Sequence, residues 1–123
     1  MITRDDLEPL SVPNTRHVLL KTDNSLLLKS SRFENQYCHL TLDATEFLLG
    51  RDPLSIGIDY YSLDPPSEAR FPAHLAVARA GKPAFVCLDL SEVTPGDFFF
   101  FGFPLRIEGV EGFPVRALLA PLA

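Results

Sequence analysis

The sequence predicts an α/β domain with a mixed sheet and a few short helices. Two observations carry this reading. Short apolar runs suited to buried strands alternate with short capped helical segments along the chain. The chain has 123 residues, of which 46% are hydrophobic, enough for the core of one small domain over residues 1–123 and too much for a disordered chain.

Each element has a local signature. "TRDDLEPL" reads as a helical turn capped by Thr3. Asp5 and Asp6 lie in the first turn, where the helix dipole favours negative charge, and Pro9 and Pro13 end it. "HVLLKT", His17 to Thr22, is an apolar run of strand length. "DNSLLLKSSRFENQYCHL" is polar and irregular and reads as a long surface loop. In "TLDATEFLLG", Thr41 is a cap, Ala44, Phe47 and Leu48 form an apolar face, and Gly50 is a stop. "LSIGID", Leu54 to Asp59, reads as a buried strand in which Gly57 permits close packing. The paired prolines of "YYSLDPPSEARF" make that stretch a loop.

"FPAHLAVARAG" reads as a short helix stopped by Gly81, and "AFVCLDL" as another buried strand. "DFFFFGFPLRIEG" and "FPVRALLAPL" are strand-like runs joined by "VEG". The run "FFFFGFPL" does not alternate apolar with polar residues, so it is expected to be covered on both faces. Its cover is either this chain's own sheet or another subunit.

Bulk properties remove several function classes. A net charge of −5 argues against a nucleic-acid partner, which requires a basic patch. No run approaches the ~18–20 apolar residues of a membrane span, and "MITRDDLEPL" has no apolar signal core, so a cytoplasmic protein is expected. Cys38 and Cys87 are too few for a disulfide scaffold and are expected to be reduced thiols. A Ser62–His74–Asp59 triad exists on paper, but nothing around Ser62 resembles a nucleophile elbow.

Several runs taken in order point further. "VLLKTDNSLLLKSSRFENQYCHLTLDATEFLL", "GIDYYSLDP", "FPAH", "LDLSEVTPGDF" and "PLRIEGVEGFPVRALL" together resemble the second half of the cyclase family. These are metal-dependent hydrolases that include bacterial kynurenine formamidases and isatin hydrolases. The resemblance runs from about Thr3 to about Leu119. It implies a swivelling β/β/α-type fold and hydrolysis of an amide or lactam by water activated on zinc or manganese. It also implies ligands from two places: a His-x-Gly-Thr-His-x-Asp signature in the first half, and in the second half a "PAH" histidine with a glutamate twelve residues on.

His74 matches that histidine, but the position twelve residues on is Val86, which has no ligating atom, and the first-half signature is absent. Cys87 is next to it, but successive residues of a strand face opposite ways. A catalytic zinc site needs about three protein ligands and an open position. No metal is therefore expected on this chain unless a partner chain supplies the remaining ligands.

Other positions are weighed as pocket candidates. Asp59, Ser62 and Asp64 belong to a loop that shapes the active-site entrance in the resembling family, and both aspartates also suit Asx-type turns. Tyr60 and Tyr61, with Tyr37 and Phe71, are candidates to line a pocket for a small aromatic ligand. Arg116 lies in a strand of core residues, where it requires a carboxylate such as Asp89, Asp97 or Glu111. The expected function is a non-catalytic, oligomeric small-molecule-binding or assembly protein, a homodimer or larger. The alternative is one subunit of a split amide hydrolase.

Overall fold

The computed structural model describes residues 1–122 except Ser11, Pro13 and Thr15. The proposed break at Pro13 lies outside the described residues. The backbone forms two compact units, residues 1–93 and 94–123.

The first unit is built on a parallel sheet in the order β1 (His17–Leu20), β2 (Ser55–Ile58), β3 (Ala84–Phe85). His17 pairs with Ser55 and Leu20 with Ile58, and Ile56 pairs with Ala84. Parallel strands need crossovers, and helices supply them. α2 (Asn24–Leu27) and α3 (Leu42–Leu49) lie between β1 and β2 in sequence, and α4 (Pro72–Arg79) lies between β2 and β3. α1 (Arg4–Leu7) precedes them and runs into a 3-10 turn, Glu8–Leu10, that contains Pro9.

The helix ends follow the chemistry read from the sequence. Thr3 and Asp6 form a reciprocal capping box on α1. Thr41 accepts a hydrogen bond from the Ala44 amide at the start of α3, and Gly50 closes that helix. α4 ends at Ala80, and Gly81 follows with φ of +68°, the left-handed conformation that glycine adopts without penalty.

Leu7, Val18, Leu40, Ala44, Leu48, Ile56, Ile58, Leu63, Ala73 and Val77 form the core. β2 is buried at every position, as a central parallel strand must be. Gly57 shows why the packing is tight there. A Cβ at this position would come within 2.7 Å of Leu19 Cδ2 and 2.8 Å of Leu88 Cδ1.

Four sequence expectations are corrected. The stretch 23–40 is not all loop, because α2 forms inside it with Asn24 and Ser25 buried. The Asn24 side chain clamps Cys38, donating to its carbonyl at 2.7 Å and accepting from its amide at 2.8 Å. Tertiary hydrogen bonds of this kind leave no periodic trace.

The expected strand "AFVCLDL" is only two residues long. Cys87 has φ of +58° and interrupts the regular ladder, its amide donating to the Tyr60 carbonyl and the Leu88 amide to that of Ile58. The face-alternation argument for Cys87 therefore does not apply.

The third correction concerns the second unit. β4 (Phe98–Pro104) pairs antiparallel with β5 (Val115–Pro121) alone, as a two-stranded hairpin. The phenylalanine run is not a central strand. Phe99, Phe101 and Phe103 are exposed on one face. The parallel and antiparallel pairings occupy separate sheets.

The fourth correction is Arg116. It sits on the exposed face of β5 and forms no ion pair among the described residues.

Candidate functional site

The site grows from the loop between β2 and α4. This loop leaves the end of the central strand carrying Asp59, Tyr60, Tyr61, Ser62 and Asp64, and enters α4 at Phe71. The carboxyl ends of parallel strands are where α/β folds place ligands.

Asp64 and His74 are brought together. The Asp64 side chain is fully buried, and His74 Nδ1 lies 2.7 Å from its Oδ2. A carboxylate only accepts, so the imidazole donates from Nδ1. The same carboxylate accepts from the amides of Ala73 at 2.7 Å and His74 at 3.0 Å. Asp64 thus caps the first turn of α4 from a distance. It is needed there because Phe71, at the N-cap position, has φ of +47° and no side-chain capping bond. The expected local Asx turn at Asp64 is replaced by this cap.

Asp59 is likewise used at long range. Its buried carboxylate accepts from the amide and hydroxyl of Thr22, both at 2.8 Å, and from the amide and hydroxyl of Ser25 at 3.1 and 2.9 Å. It caps α2, where Asp23 makes no capping bond of its own. The Ser25 hydroxyl in turn accepts from the Leu90 amide at 3.1 Å. Ser62 Oγ accepts from the Asp64 amide. Ser62 and His74 both bond to Asp64, through its amide and its carboxylate, while Asp59 bonds to Thr22 and Ser25, so the three form no triad.

The aromatic candidates separate into structural and accessible groups. Tyr60 is buried, and its hydroxyl accepts from the Glu34 amide and donates to the Glu34 carbonyl. Its ring packs 4.6 Å from Tyr37, 5.9 Å from Phe33 and 5.0 Å from Tyr61. Tyr61 and Phe33 are exposed, with ring centres 5.5 Å apart. Tyr37 donates from its hydroxyl to the Asp64 carbonyl, and burial pushes its pKa up. Beside this cluster lies an open depression of about 540 Å³ lined by Asn35, Gln36, Tyr37, His39, Pro65, Pro66 and Ser67. Sequence reasoning found Tyr37 and missed the rest, because residues 35–39 and 65–67 meet only in the fold.

The family chemistry requires a divalent metal, and the donors here do not fit one. Both oxygens of Asp64 are engaged by donors. Val86 has no donor atom, and Cys87, the exposed neighbour, has its thiol pKa pushed up by partial burial. His17 shares a hydrogen bond with the Ser55 hydroxyl, and the His39 Nδ1–H donates to the Leu40 carbonyl. Among the described residues, no three His, Cys, Asp or Glu side chains gather at one point. Among them too, no helix is long and apolar enough to cross a membrane.

Comparisons with known proteins give the class. No family model matches the chain. A predicted metal-dependent hydrolase from Bacillus stearothermophilus superposes with a TM-score of 0.83 at 30% identity, over 96% of this chain and 56% of that one. A potential metal-dependent hydrolase with cyclase activity gives 0.85 at 29%, over 96% and 57%. The fold is therefore that of the cyclase-type metal-dependent hydrolases.

Two curated relatives place it more narrowly. Cyclase-like protein 2 of Oryza sativa subsp. japonica is 31% identical over 96% of this chain and 45% of its own length. The kynurenine formamidase of Bacillus thuringiensis strain Al Hakam is 28% identical over 98% and 57%. The chain is a homologue of the cyclase-like proteins and kynurenine formamidases. It spans about half the length of the curated relatives it matches.

Proposed function

We propose that this chain is a cyclase-like homologue without metal hydrolysis of its own, serving as an oligomeric small-molecule-binding or assembly protein. The observation that carries this reading is that, among the described residues, no group of three potential ligands gathers around His74. His74 matches the resembling family's ligand position, and Val86 stands where that family has glutamate. One imidazole does not hold zinc or manganese usefully. A small aromatic ligand suits the accessible rings of Phe33 and Tyr61 and the neighbouring depression.

Metal analysis of the purified chain tests the reading. Zinc and manganese well below one equivalent are expected, and a full equivalent of tightly bound metal overturns it.

A second reading has its own support. The buried Asp64 carboxylate accepts from His74 Nδ1, as a carboxylate behind a metal-ligating histidine does, and so orients the ring. That arrangement suits a chain completed by a separate polypeptide bearing the remaining ligands, the pair forming an amide hydrolase. Turnover of N-formylkynurenine that appears only on mixing this chain with such a polypeptide would establish it.

A further inference from the structure

α3 and α4 each carry a second apolar stripe that the core does not use. Their inner stripes are buried: Ala44 and Leu48 on α3, Ala73 and Val77 on α4. A surface helix needs only one such stripe, and its outward face is normally polar. On α3, however, Leu42, Glu46 and Leu49 recur at i, i+4 and i+7. On α4, Pro72, Leu75, Ala76 and Arg79 recur at i, i+3, i+4 and i+7. Residues at these spacings share one face of a helix. The two helices pack against each other, and the two stripes, with Arg70, line one open groove of about 460 Å³. Leu42 is 42% exposed there and Leu75 43%.

Charge marks the ends of the groove. Arg70 lies just before α4, and Arg79 is its last residue. Both are exposed, and neither forms an ion pair among the described residues. From Pro72 to Arg79 the helix rises about 10 Å, so the two arginines stand toward opposite ends of α4. That separation suits two carboxylates about two helical turns apart better than one small anion. Glu46, on the α3 side, makes a uniformly anionic surface such as an acidic bilayer a poorer match.

We propose that the α3–α4 groove is a docking site for an amphipathic helix of another protein. That helix presents apolar side chains at i+3 and i+4 to Leu42, Leu49, Leu75 and Ala76, and a carboxylate at each of i and i+7 to Arg70 and Arg79. All four of its positions lie on one face, the usual way in which a helix is read by a groove. The proposal goes beyond the function proposed above, because it requires neither a metal nor a ligand in the loop depression.

Fluorescence anisotropy tests it. The probe is a fluorescein-labelled, side-chain-stapled helix of about 15 residues, with glutamates at i and i+7 and leucines at i+3 and i+4. Saturable binding to the chain is expected, with half-saturation below about 100 μM. A companion peptide with lysines at i and i+7 is expected to bind at least about tenfold more weakly. The double variant Arg70→Glu/Arg79→Glu should reverse that preference. Leu75→Asp, with circular dichroism to check folding, should abolish binding of both peptides.

A glutamate peptide that does not saturate overturns the proposal, and so does equal affinity of the parent chain for the two peptides. Binding untouched by a folded Leu75→Asp variant overturns the groove as its place. If that variant does not fold, the charge-reversal variant decides alone, and an unreversed preference overturns the proposal. Two results overturn it by naming another occupant: co-sedimentation with phosphatidylserine vesicles, or self-association of the chain, either of them removed by Leu75→Asp. None of these readouts bears on metal content, so this proposal and the one above fail separately.

Discussion

Asp64 carries more of the site than its neighbours do. One buried carboxylate ends three hydrogen bonds, two from the first turn of α4 and one from the imidazole of His74. Asp64→Asn replaces one acceptor oxygen by an NH₂ group facing donors. A loss of about 1–3 kcal/mol is expected in denaturant unfolding, the usual cost of leaving buried donors unmatched. Nitrogen NMR of His74 should show the Nδ1–H tautomer in the parent chain and its loss in the variant. An unchanged tautomer would detach the imidazole from Asp64. Cys87 gives a pH prediction. Partial burial raises its thiol pKa, so less thiolate is present near neutral pH than in an unperturbed thiol. Iodoacetamide should therefore modify Cys87 more slowly than a model peptide cysteine at pH 7.5, and the rate should keep rising at higher pH than the peptide's does. Equal rates and superimposable profiles would contradict the shift.

Among the elements, β2 is the one on which the site depends. It is buried throughout, lies between β1 and β3, and delivers Asp59 and Tyr60 at its end. Gly57 at its centre has two leucine methyl groups on its Cα, so Gly57→Ala forces Leu19 and Leu88 to move. A cost of about 1–3 kcal/mol is expected by urea unfolding, the range for overpacking a core. A variant of parent stability would mean that the leucines yield freely. The elements differ in how plainly they are written. α3 has its cap, its apolar face and its closing glycine within ten residues, and it forms where those signals stand. β3 is written as a longer strand than it is. Cys87 breaks it because the chain there is captured by the Tyr60 carbonyl, a partner distant in sequence.

In the molecule as a whole, every buried hydrophobic residue among those described lies between Leu7 and Leu90. Amide exchange should follow that distribution. Ile56 and Ile58 are expected among the slowest amides and those of the β4–β5 hairpin among the faster ones, and the reverse order would refute this picture of where stability resides. The alternation of strand and helix, the helix caps, Gly57, the resemblance to the cyclase-like hydrolases and the mismatch at Val86 are all legible in one dimension. They rest on periodicity, on capping chemistry within three residues, or on residue identity at a fixed spacing. What sequence could not show is where the carboxylates go. Asp59 reaches Thr22 and Ser25, and Asp64 reaches Ala73 and His74, because a hydrogen bond is chosen by distance in space and the chain records only distance along itself. The same holds for the phenylalanine strip. Its composition says that it is apolar, but whether it is covered depends on which strands pair beside it, and β4 has one neighbour.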